Sequence, residues 1–173
     1  MSAEPVGLVL HRRILRYTAV EFLAYWLTGA IVWMPWYFSD AAGMTAMLII
    51  APTTIFFSTL YCLKRVPEIS WKKEIWIINA TFVVTCAFID LFFWVIWRGY
   101  EFFDWYLPTN LVGTVNFVGY LEMIVMCYIA FRLVSKPGRV RRIQERIRFG
   151  DRFVVITGLV LFLVSITSAL LFW

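Results

Sequence analysis

Histidine is almost missing from this chain, and cysteine is sparse. The one histidine, His11, precedes the first apolar run, so bis-histidine haem ligation and an H-E-x-x-H zinc helix are excluded. The three cysteines, Cys62, Cys86 and Cys127, all fall in apolar segments and form no C-x-x-C pair. Neither a disulfide framework nor a thiol redox motif is therefore visible. Also absent are a D-D-x-x-D diphosphate site, a D-G-x-x-A-R lipid-transferase pattern and a nucleophile beside a base. No motif calls for a metal or cofactor. There is no internal repeat and no low-complexity tract, and five apolar segments do not divide into the two inverted halves common among transporters.

Charge is scarce as well, at 16% of 173 residues, against about 25% in an average soluble domain. What fills the chain instead is apolar: 62% of its residues, with a mean hydropathy of +0.78. Five apolar segments can be cut out, at about 17–38, 43–63, 75–97, 111–134 and 153–173. Each is as long as the roughly 20 residues a helix needs to cross the hydrocarbon. In lipid the backbone must satisfy its own hydrogen bonds, so these segments are expected to be helices. The expected fold is all-α: a single transmembrane domain over 1–173, a polytopic bundle of five helices in a membrane.

The basic residues choose its orientation. Fifteen of the sixteen Lys and Arg lie before the first segment, between the second and third, or around the connection between the fourth and fifth. Only Arg98 is left for the other side. The positive-inside rule then puts the N-terminus in the cytoplasm and the C-terminal Trp173 outside. The same placement directs the net charge of +5 toward the membrane surface, and no nucleic-acid partner is expected.

The fourth connection, 136–152, reads as a basic amphipathic cytoplasmic loop. Pro137-Gly138 breaks the fourth helix, and Val140, Ile143 and Ile147 recur at helical spacing among arginines. Arg141, Arg142, Arg146 and Arg148 are candidates for contact with anionic lipid headgroups. Tryptophans near the predicted helix ends suit an aromatic belt, with a ligand-lining role open for a few. The connection "RGYEFFDWYLPTN" is too apolar for a free loop and is expected to lie on the outer interface.

The stretch "AFIDLFFWVIW" places an aspartate, Asp90, inside one of the greasiest runs. A charge at mid-membrane costs about 2.5–3.5 kcal/mol on insertion scales. Asn79, Cys86, Asp90, Trp94 and Trp97 fall on one helical face at 100° per residue, and that face should avoid lipid. On the fourth segment, Asn116, Gly119 and Glu122 share a broad face, and Glu122 comes near the depth of Asp90. Two neighbouring carboxylates would hold one proton or one cation between them. The candidate ligand or ion site is therefore Asp90, Glu122, Asn79, Asn116 and Trp94. Glu21 reads as an interfacial ion-pair residue or, with Tyr25 and Thr28, as the mouth of a pathway. Pro52 is expected to kink the second helix beside Thr53 and Thr54.

Three functions compete. One is a transporter or binding protein for a cation, a proton-coupled solute or a cationic small molecule. Another is a non-catalytic subunit or scaffold, with a membrane-protein partner or a second copy, in which the carboxylates are inter-helix hydrogen bonds. The last is an intramembrane enzyme using Asp90 and Glu122 as acid and base, for which no supporting motif is present.

Overall fold

A computed structural model describes residues 6–135 and five single positions, 156, 159, 160, 163 and 167. The described part is helical, with no strand among the described residues. The basic loop at 136–152, with Arg141, Arg142, Arg146 and Arg148, lies outside the described residues, as does the fifth segment apart from those single positions.

Four long helices form the body: α1 Val6–Phe38, α2 Asp40–Leu63, α3 Trp71–Ile89 and α5 Leu111–Val134, with a short α4 at Phe102–Tyr106. α3 does not stop at Ile89 but runs on as a π-helical segment, Asp90–Trp97. Three of these elements are long and apolar enough to cross a membrane: Asp40–Leu63, Trp71–Trp97 and Leu111–Val134. α1 is the longest at 33 residues, but Glu21 and several tyrosines and tryptophans interrupt its apolar stretch.

The helices start earlier than the apolar runs do. α1 begins by Val6 rather than near 17, and α3 at Trp71 rather than near 75. Backbone hydrogen bonding continues past the point where side chains turn polar, so an apolar count sees only part of each helix. Residues 39–43, expected as a linker, shrink to one extended residue, Ser39 (φ −165°, ψ 130°), before Asp40 opens α2. Gly43 makes that corner possible, because a Cβ there would sit 2.5 Å from the Cβ of Trp36.

The far connection also folds. Gly99 adopts φ +74° and ends the π segment, a position that favours glycine. α4 then buries Trp105 and leaves Phe102 and Phe103 exposed. Asn110 caps α5 by accepting a hydrogen bond from Gly113 N–H at 2.9 Å.

α1 packs on α2 and α3, and α5 packs on α2, α3 and α4. Two buried clusters result. At the end carrying Arg13, Lys64 and Lys72, the core includes Tyr17, Leu63, Ile78, Phe82, Cys127 and Ala130. At the opposite end, Trp26, Phe93, Trp94 and Trp105 form an aromatic cluster. Outward faces carry exposed apolar groups such as Leu48, Ile49, Phe57, Val84, Phe88 and Ile96.

Candidate functional site

Asp90 stands at the joint where α3 changes into the π segment, and it is buried. Its two oxygens are held from two different helices. Oδ1 accepts the Tyr25 hydroxyl of α1 at 2.5 Å, and Oδ2 accepts the Tyr120 hydroxyl of α5 at 2.6 Å. Trp94 Nε1 donates in turn to the Tyr25 oxygen at 2.7 Å. Two O–H donors on one carboxyl suit the ionised form, whose oxygens only accept.

The π turn sets what surrounds this group. With i→i+5 closure, Arg98 N–H reaches the Phe93 carbonyl at 3.0 Å. Phe93 and Trp94, neighbours in sequence, are both buried, with ring centroids 4.8 Å apart. Trp97, expected on the Asp90 face, is instead 57% exposed. The face count at 100° per residue still holds at Trp94 and fails at Trp97, because a π turn takes more residues than an α turn.

Other rings box in the Asp90 end. Trp105 stacks on Trp94 with centroids 5.1 Å apart and planes 19° apart, and Trp33 meets Trp94 edge-on at 5.1 Å. Asn116 fixes α4 to α5 by donating from Nδ2 to the Trp105 carbonyl at 3.1 Å.

These groups line a cavity between α1, α2, α3 and α5, with about 130 Å³ open to the centre of a water-sized sphere. A single water needs only about 10–15 Å³ on that measure, so several waters or a small organic group fit. Its lining includes two carboxylates, Asp90 and Glu21. Seven aromatic side chains join them: Tyr25, Trp33, Trp36, Trp94, Tyr100, Trp105 and Tyr120. Among the described residues, none of those lining it is Lys, Arg or His. Gly119 supplies width, since a Cβ there would approach the Met47 methyl at 3.3 Å. Ile55 and Met123 belong both to the cavity wall and to the core at the basic end.

Of the residues singled out in the sequence, Asp90, Trp94 and Asn116 meet at this cavity. Asn79 and Glu122 lie outside its lining. Asn79 Nδ2 donates instead to the Ile124 carbonyl at 3.4 Å. Glu122 keeps a buried Oε2 without a hydrogen-bond partner among the described residues. Glu21 takes the place expected for Glu122: it is 2% exposed, lines the cavity, and its Oε2 is likewise buried without a partner among the described residues. The hydroxyls of Thr53 and Thr54 bond the carbonyls of Ile49 and Ile50, at 2.6 and 2.8 Å, so both are satisfied within their own helix.

Of the two tyrosines that hold Asp90, Tyr120 was missed, and Tyr25 was read with Glu21 and Thr28 as a pathway mouth but not as a partner of Asp90. Each stands four positions after a residue already in view, Tyr25 after Glu21 and Tyr120 after Asn116, and so shares its helical face. Among the described residues, no three His, Cys, Asp or Glu side chains gather as metal ligands would. No protein-family model, curated protein or solved structure matches the chain.

Proposed function

We propose that this is a multi-pass membrane protein with five spans, its N-terminus and basic loop cytoplasmic and its C-terminus outside, whose central cavity binds a small organic cation for transport. The orientation is supported by the fifteen basic residues on one side and by the tie between the starts of α1 and α3, where Arg13 bridges Glu74 at 3.1 Å. An alkaline phosphatase fusion after Trp173 is expected to be active outside the membrane, and one after Ser135 inactive. The reverse pattern overturns the orientation.

The observation that carries the functional reading is the cavity lining: two buried carboxylates, seven aromatic side chains and, among the described residues, no basic one. A carboxylate away from water needs a proton, a cation or strong hydrogen bonds. An aromatic face adds about 0.5–2 kcal/mol for a desolvated ammonium. Protonated amines and quaternary ammonium ions match both.

The second reading, a non-catalytic subunit with Asp90 as an inter-helix tie, draws on the two tyrosine hydrogen bonds that already satisfy Asp90. Asp90→Asn separates the two, because the amide oxygen accepts from one tyrosine and the amide NH2 donates to the oxygen of the other, with no charge on the side chain. Benzyltrimethylammonium titrated against the purified protein is expected to change tryptophan fluorescence saturably. Asp90→Asn is expected to weaken that binding at least about tenfold while the melting temperature stays close to that of wild type. Equal affinity in the two proteins sinks the cation reading and leaves Asp90 as packing.

A further inference from the structure

The cavity holds two acidic groups, and the hydrogen-bonded network uses only one. Asp90 has both oxygens engaged by tyrosines at the aromatic end. Glu21, toward the basic end of α1, has one oxygen buried and without a partner among the described residues. The ion pair found at the basic end joins Arg13 to Glu74, not to Glu21. Along α1, Glu21 lies one turn, about 6 Å, below Tyr25, whose hydroxyl touches Asp90. The wall between them is apolar, with Ala24, Ile55 and Met123 among its residues.

We infer that the preferred ligand is a linear aliphatic diamine, bound as a dication. This rests on the cation reading above and specifies its substrate class. One ammonium takes the Asp90 end, where carboxylate and ring faces combine. The methylene chain follows the apolar wall. The second ammonium donates to the free oxygen of Glu21. Two buried carboxylates, with no basic side chain among the described residues of the lining, are neutralised by two positive charges and only half neutralised by one. A monovalent amine leaves Glu21 without a partner, which is where the selectivity arises.

The test compares 1,6-diaminohexane with 1-aminohexane on the purified full-length protein, at a pH where both are protonated, read by tryptophan fluorescence or calorimetry. The diamine is expected to bind roughly tenfold tighter or more. Glu21→Gln is expected to weaken the diamine at least about tenfold and 1-aminohexane by less, so that the preference for the diamine is lost. Asp90→Asn is expected to weaken both ligands. Equal affinity of the two amines for wild type, with binding still dependent on Asp90, overturns the diamine inference and leaves the cation reading intact. Absence of saturable binding by either amine overturns both. The wild-type ratio of affinities decides the matter even if Glu21→Gln fails to fold.

Discussion

Gly113→Ala is expected to destabilise the protein by about 3 kcal/mol or more, at the upper end of what overpacking costs. A Cβ at this position would lie 1.9 Å from the Leu107 carbonyl oxygen and 2.6 Å from that of Asp104. Both are backbone atoms, so no rotamer change relieves the clash. The first turn of α5 would have to leave α4, taking with it the Asn110 cap and the Asn116 bond to Trp105. Trp105 is one wall of the cavity, so ligand binding should fall together with stability. Gly119→Ala is the matched control: its Cβ meets only the flexible end of Met47, and a cost under about 1.5 kcal/mol is expected. Thermal melts of the two variants in detergent decide it, and a Gly113→Ala melting temperature equal to wild type would show that the α4–α5 contact is looser than the geometry requires.

The second large effect is at the basic end. Glu74 is 2% exposed and accepts from two donors, Arg13 Nη1 at 3.1 Å and the Tyr17 hydroxyl. It ties the start of α3 to the start of α1, and its charge lies in the first turn of α3, where the helix dipole favours an anion. Glu74→Ala leaves the fully buried Tyr17 hydroxyl without its acceptor and Arg13 without its counter-ion. Arg13 is a third exposed and can turn to water, which lowers the penalty below that of a sealed pair. A loss of about 3 kcal/mol is expected, and about 1 kcal/mol for Glu74→Gln, which keeps an acceptor. Melting curves in detergent test both; an alanine variant as stable as the glutamine variant would mean that the hydrogen bonds contribute little there.

Glu74 also marks where reading the sequence stopped short. It falls just before the apolar run beginning near 75, and so looked like loop, although the helix already includes it. The long helices themselves were legible because lipid-length apolar runs are hard to read otherwise, and the bounds 111–134 agree with α5. Asp90 was legible because a carboxylate in such a run is costly and needs a reason. Its partners were not, because which tyrosine of α1 or α5 reaches it depends on helix rotation and depth, which periodicity on one helix leaves open. Glu122 and Asn79 were drawn to the site by shared depth and shared face alone. The packing of α1 puts Glu21 and Tyr25 against the cavity instead, and α1 was the helix whose polar residues had the most ordinary explanation, an ion pair at the interface.

The π segment gives the two sides of Asp90 unequal tolerance for a change in chain length. Between Glu74 and Asp90 the helix is α, so removing one residue would swing the carboxylate about 100° around the axis and away from Tyr25 and Tyr120. Between Asp90 and Trp97 the backbone already carries more residues than an α-helix of the same rise would hold. A deletion there lets the segment tighten into an ordinary α turn and leaves the anchor upstream untouched. The expected result of deleting single residues is therefore asymmetric: a deletion within 91–97 should be tolerated, and one within the eighteen residues from Trp71 to Phe88 should not.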